Sequence, residues 1–222
     1  MSLTSYLGLG ISPALAILLY VYLILLNNKE FGRVLIKSFL LGGLSCSICI
    51  LAIYLAKYED LNIATDLVAT LVYSFIIVGF SAEFGKFIVL KLFILTNKEV
   101  KSPIHGLAFS VMTSLGFSTL MGLIFFFNIL NSNPPYGFNM YLLLVGPANV
   151  GFGIILGFFL GLVKFVESGF IYNIGGLLSA GFFAGLFSFC MITQDYKLLS
   201  LFAFGSSIVA LVLIFRAMYF RP

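Results

Sequence analysis

Polar residues in this chain stand in short clusters, and the stretches between them are apolar for long enough to cross a bilayer. A spanning helix needs ~20 mainly apolar residues, because the hydrocarbon core is ~30 Å thick and each residue rises ~1.5 Å. This pattern predicts seven spans. The first runs from Ile11 to Leu26 and ends at Asn27-Asn28-Lys29-Glu30; the second runs from Val34 to Ala56 and closes at Lys57-Tyr58-Glu59-Asp60. The third, from Leu61 to Thr96, is too long for one perpendicular crossing, so it tilts or projects its lysine-bearing end beyond the membrane. Pro103 opens the fourth, which reaches Leu130 and meets the breaker cluster Asn131-Ser132-Asn133-Pro134-Pro135. Proline is tolerated in a first helical turn, whereas a Pro-Pro pair cannot continue a helix. The fifth span runs from Tyr141 to Val166, the sixth from Tyr172 to Thr193 and the seventh from Leu198 to Phe215. The expected fold class is all-α: a polytopic membrane helix bundle of about seven transmembrane helices. It forms a single transmembrane domain over residues 1–222, with no internal repeat and loops too short for a soluble domain.

Composition supports a membrane setting, since 61% of residues are hydrophobic and only 9% charged, against roughly 25% charged in soluble domains. With 26 Phe and no Trp, interface anchoring falls to Tyr and Lys. The net charge of +4 comes without any long basic run, so nucleic acid is not an expected partner. The first apolar stretch lacks a positively charged leader and a small-residue cleavage site, and no cleaved signal peptide is expected. Orientation follows from the bias of Lys and Arg toward cytoplasmic loops. With the N-terminus outside and the C-terminus inside, the cytoplasmic side holds Lys29, Arg33, Lys37, Lys86, Lys91, Lys98, Lys101, Lys164, Arg216 and Arg221, against Lys57 and Lys197 outside.

Small residues mark expected packing faces. Gly153, Gly157 and Gly161 recur every four residues, as do Gly181 and Gly185, and such rows let helix backbones approach closely in lipid. Cys46 and Cys49 form a C-x-x-C inside an apolar helical run, which reads as small residues at a helix interface rather than a redox or metal pair. Cys190 stands alone near a helix end.

The informative residues in lipid are the polar ones, since an ionised side chain at mid-helix costs roughly 2.5–3.5 kcal/mol to insert. Glu83 is the carboxylate well inside an apolar segment, and Asp66 lies near a helix start. Lys86 follows Glu83 at i+3, on the same helical face, so the two can pair. Either this is an ion pair near the cytoplasmic interface with Lys86 snorkelling to the headgroups, or it marks a functional cavity. His105, the single histidine, stands in the first turn after Pro103. A solvated or capping role suits it better than ligation, because zinc takes three or four ligands, and no metal or other cofactor is expected. Asn128 and Asn149 read as mid-segment amides with interhelical hydrogen bonds as their default role.

Four stretches resemble the PrsW family of intramembrane proteases, related to the CAAX prenyl-protein proteases. In that family one helix carries E-E-x-x-K, a second motif ends in E-N, and two later helices each supply a His, the last within H-G-x-x-[DN]. Ala82-Glu83-Phe84-Gly85-Lys86 is similar to the first motif, with Ala82 for the first Glu. Ser102 to Phe109 and Leu115-Gly116-Phe117 resemble the second, whose Glu falls on Met121 and whose Asn falls on Gly122. Gly146-Pro147-Ala148-Asn149 resembles the third, with Asn149 at the His position. Ala184-Gly185-Leu186-Phe187-Ser188 resembles the fourth, with Ala184 for His and Ser188 for Asp/Asn. The resemblance spans Gly79 to Phe189 and implies a protease-like bundle in which Glu83 and Lys86 survive from the family's site.

A general base or metal ligand must offer a lone pair or a titratable proton, which Ala82, Met121 and Ala184 lack. The expected function is therefore that of a non-catalytic PrsW-like protein that binds or scaffolds another integral membrane protein or transmembrane segment, surrounded by membrane lipids in a bacterial inner membrane. Glu83, Lys86, His105 and Asn149 are its candidate binding residues. An active intramembrane protease using Glu83 is the alternative. A small transporter or channel is the third, with a helix break at Gly146-Pro147 as its mark.

Overall fold

A computed structural model describes residues 3–58, 66–129, 138–166 and 169–220. Among these the chain is all-helical, with seven helices long and apolar enough to span a membrane. We number them α1 (Leu3–Leu26), α2 (Lys29–Tyr58), α3 (residues 67–94), α4 (Pro103–Phe126), α5 (Phe138–Val163), α6 (Gly169–Thr193) and α7 (Tyr196–Met218). The protein is an integral membrane protein.

The expected breaks fall within a few residues of the observed ones, except at three places with clear physical causes. First, α1 begins at Leu3 rather than Ile11, because its early serines face the bundle instead of interrupting it. Ser5 and Ser12 are buried, and the Ser5 hydroxyl donates to Asn139 Oδ1 of α5 at 2.5 Å. Second, α4 stops at Phe126, so Asn128 is no mid-helix amide. Its φ of 49° is left-handed, its N–H bonds to Phe125 O, and the N–H of Ile129 reaches back to Ile124 O. That pair of bonds is a Schellman stop, in which Asn is one of the few side chains comfortable at positive φ. Third, α5 runs unbroken through Pro147, so the break expected at Gly146-Pro147 does not occur. The predicted start of the third span at Leu61 and the cluster Asn131 to Pro135 lie outside the described residues.

Among the described residues, side-chain caps begin three of the helices. Asn28 Oδ1 accepts from the N–H of Phe31 at 2.8 Å at the head of α2. Asp66 accepts from the N–H of Val68 at the head of α3, and Asp195 accepts from the N–H groups of Lys197 and Leu198 at the head of α7. Gln194, with φ 56°, turns the chain directly from α6 into that cap. Asp195→Ala is expected to cost about 1 kcal/mol, the usual value of a lost N-cap, read as a lower unfolding midpoint in detergent.

Helix α3 departs from a regular α-helix. Leu67–Val72 is α-helical, Tyr73–Phe80 is π-helical, Ser81–Val89 is α-helical again and Leu90–Ile94 is π-helical. Such wide turns are rare and recur at functional positions. The first π segment carries Gly79 into α6: a Cβ there would lie 2.5 Å from Gly185 N and 2.6 Å from Gly185 Cα. Those two backbones therefore touch, which fixes the height of the following turn bearing Glu83.

Helix α4 lies at the centre, with 18 of its 24 residues buried, whereas α1 and α7 bury only four each. The predicted glycine row on α5 is the notch that seats it. A Cβ on Gly153 would meet Val111 Cα at 2.9 Å, one on Gly157 would meet Leu107 Cα at 2.8 Å, and one on Gly161 would meet Pro103 O at 2.7 Å. On the other side of α4, Gly42 and Gly116 bring α2 to backbone contact. Cys46 and Cys49 pack into that neighbourhood as buried free thiols, Cys46 donating to Phe117 O at 3.2 Å.

Candidate functional site

Helical spacing alone aligns the polar residues of the bundle. Glu83 and Lys86 are one turn apart on the α-helical stretch of α3 and point the same way. Both are fully buried. The Lys86 ammonium donates to Glu83 Oε1 and, across the bundle, to Asn149 Oδ1 of α5 at 2.9 Å. It also lies over two aromatic rings, 4.9 Å from the centroid of Phe117 on α4 and 5.8 Å from that of Phe152 on α5. The expected pair thus exists, but Lys86 does not snorkel. It turns inward, where a carboxylate oxygen, an amide oxygen and two ring faces meet the ammonium.

Asn149 is satisfied on both ends. Its Nδ2 donates to Val145 O at 2.9 Å, one turn back on its own helix, which leaves Oδ1 to face the ammonium. Glu83 is not satisfied on both ends: Oε2 is buried and has no hydrogen-bond partner. An uncompensated carboxylate oxygen in an apolar interior is costly, so this atom is the acceptor the centre has left open.

Glu83 lines a cavity of about 50 Å³ whose described wall comes from five helices. Ala82 and Val78 of α3, Met121 of α4, Asn149 of α5, and Ala184 and Ser188 of α6 share its wall. Ala82, Met121, Asn149, Ala184 and Ser188, drawn from four separate stretches of sequence, therefore converge on Glu83. His105 does not. Its Nδ1 sits 2.9 Å from the carbonyl of Glu99 and its ring meets Phe31 edge-on. It stands 12 residues before Phe117 on α4, about 18 Å away along the helix at ~1.5 Å per residue.

The aromatic walls of the cavity escaped the reading of the chain. Phe117 and Phe125 of α4 flank Met121 at four-residue intervals; Tyr141, Val145 and Phe152 share the face of Asn149 on α5; Phe187 adjoins Ser188 on α6, and Cys49 enters from α2. The signal for most of them was the i±3 and i±4 spacing from Met121 and Asn149. Phe is so frequent here that no single ring stands out by composition. Among the described residues, no three of His, Cys, Asp and Glu come together in a way that could hold a metal ion.

The chain is similar to the protein described as Protease PrsW in Shouchella clausii, 27% identical over 161 residues, covering 71% of this chain and 69% of the relative. Protease PrsW of Bacillus subtilis is 26% identical over 156 residues, covering 70% of this chain and 67% of the relative. That of Geobacillus kaustophilus is 25% identical over 192 residues, covering 86% and 81%. No solved structure matches. The family profile described as PrsW family intramembrane metalloprotease matches residues 30–218, from the start of α2 to the end of α7. A match over so much of the bundle means that the chain belongs to the PrsW family.

Proposed function

We propose that this PrsW-family protein binds or scaffolds another integral membrane protein without hydrolysing it. The observation that carries the reading is the convergence of Ala82, Met121, Asn149, Ala184 and Ser188 on Glu83. By their resemblance to the family's motifs these positions correspond to its catalytic residues, and here they surround a single carboxylate with two methyl groups, a thioether, an amide and a hydroxyl.

The family's description implies a metal, and the residues present do not fit one. Zinc takes three or four N, S or O donors. The donors that line the cavity are one free Glu83 oxygen, the Asn149 amide, whose oxygen is engaged by Lys86, the Ser188 and Tyr141 hydroxyls and the Cys49 thiol; among the described residues no three of His, Cys, Asp and Glu come together. Without a metal, peptide hydrolysis would need a second group to take or deliver a proton beside Glu83, and among the described residues the other titratable groups in the cavity wall are the Tyr141 phenol and the Cys49 thiol, with no second carboxylate or histidine.

The size of the cavity shapes the binding reading. At about 50 Å³ the cavity lies far below the ~300–1,000 Å³ of small-molecule pockets, so it suits a side chain rather than a separate ligand. A partner helix packs against the outside of the bundle and engages the cavity by a single side chain. Small-to-small helix packing, of the kind joining α3 to α6 and α4 to α5, is the available device. The protein sits with its N-terminus outside and its C-terminus inside, in a bacterial inner membrane. With Lys86 withdrawn into the bundle, nine basic residues remain on the cytoplasmic side against two outside, and the bias still favours that orientation. An alkaline phosphatase fused after Pro222 is expected to be inactive, and an active fusion would reverse the orientation.

The relatives' description as proteases supports the alternative, an active intramembrane protease using Glu83. One experiment separates the two. A photo-crosslinking amino acid at Phe84, exposed on α3 directly after Glu83, in membranes of the native host, is expected to capture an intact second membrane polypeptide. Purified protein is expected to leave single-span test substrates uncut. Cleavage that disappears in Glu83→Gln would establish the protease instead. The transporter reading loses its structural mark, since α5 is continuous at Pro147.

A further inference from the structure

We propose that the ammonium of Lys86, held in place by Asn149, is the resident cation of this intramembrane centre and stands against Glu83 where the rest of the family is described as using a metal. The inference does not depend on what partner the protein binds. It rests on how completely the ammonium is caged. Lys86 has three N–H donors; two go to Glu83 Oε1 and Asn149 Oδ1, and the Phe117 and Phe152 rings face the nitrogen. Its side chain is fully buried, so water provides no alternative.

The lysine itself belongs to the motif that this chain resembles, and its presence alone sets nothing apart. Asn149 does. A histidine at that position would offer a ring nitrogen as a metal ligand, whereas an amide oxygen is a hard acceptor suited to an ammonium. The orientation of Asn149 is set independently, because its Nδ2 is committed to Val145 O. Asn149 is thus built to hold a positive group at this spot. A divalent ion on the free Glu83 oxygen would stand a few ångströms from that ammonium. Like charges so close in a low-dielectric interior repel strongly, and a single negative charge is left to offset three positive ones.

The test uses full-length protein purified through a histidine-free tag from cells grown with added zinc. Its readouts are elemental analysis and the melting temperature with and without Zn²⁺ or Co²⁺. The wild type is expected to carry far less than one zinc per chain and to melt at the same temperature with either ion. Two variants change the charge balance. Lys86→Met removes the cation, and Asn149→Asp keeps the ammonium and the side-chain size while adding a second carboxylate. Each is expected to acquire a metal-dependent rise in melting temperature, and for Asn149→Asp a visible Co²⁺ absorption band as well. Asn149→Asp preserves the packing, so the comparison can be read from it alone if Lys86→Met does not fold. One zinc per wild-type chain, a metal-dependent rise in the wild type, or an Asn149→Asp protein indifferent to both ions would overturn the proposal. Failure to crosslink a partner would count only against the binding reading, since no partner enters this measurement.

Discussion

Lys86→Met is expected to destabilise the bundle by about 3–5 kcal/mol, and the double variant Glu83→Gln/Lys86→Met to recover most of that loss. The asymmetry follows from burial. Both side chains are fully enclosed, one carboxylate oxygen already lacks a partner, and removing the ammonium leaves the other oxygen charged and bare. Removing both charges together leaves a neutral amide and a thioether in nearly the same volume, the kind of replacement that buried ion pairs often tolerate. Asn149→Leu belongs to the same cycle, since it takes away the second acceptor of Lys86 while keeping Glu83. Unfolding in detergent of the three singles and the double measures the coupling. Additive losses, with the double as unstable as the sum of its singles, would mean that the pair does not act as a unit.

The other large effect is expected at Gly116. A Cβ at that position would lie 1.9 Å from Phe39 O, and on the facing helix a Cβ at Gly42 would lie 2.0 Å from Thr113 O. Both obstacles are backbone, so no side chain can swing aside, and α2 would have to move away from the central helix. Overpacking ordinarily costs about 1–3 kcal/mol and occasionally more. Gly116→Leu is expected to exceed that range and to abolish recovery of folded protein. Gly10→Leu is the matched control, since nothing lies within 4 Å of its Cβ direction, and a change of less than about 0.5 kcal/mol is expected there. Size-exclusion profiles of the two variants give the comparison. Equal behaviour would show that the glycine contact between α2 and α4 is not a structural requirement.

These two effects mark where the pattern of residues along the chain was informative and where it was silent. Hydropathy placed seven helices, because the need to satisfy every backbone group in lipid leaves little alternative for apolar runs of this length. It misplaced their ends where polar residues had local work to do. Ser5 fell outside the predicted first span and is a buried packing residue of α1; Asn128 looked like an interhelical amide and is a helix stop. The glycine spacing on α5 pointed to a packing row, and that row seats α4. Nothing in the spacing around Gly42 and Gly116 showed that they would meet each other's helices, since that depends on which helices are neighbours.

The polar centre divides in the same way. That Glu83 and Lys86 face one direction was legible from an interval of three residues, because helical periodicity is local. The similarity of four short stretches to PrsW motifs singled out Ala82, Met121, Asn149, Ala184 and Ser188 by their order along the chain. Only the tertiary structure decided that these five line one cavity with Glu83, that His105 stands well away from it, and that Lys86 turns inward to Asn149 rather than outward to the headgroups. The physical reason is that hydrophobicity in a membrane is satisfied equally well by any rotation of a helix, since lipid is as apolar as a neighbouring helix. Close backbone contacts at glycine and the pairing of buried polar groups choose among those rotations, and both depend on residues far apart in the chain.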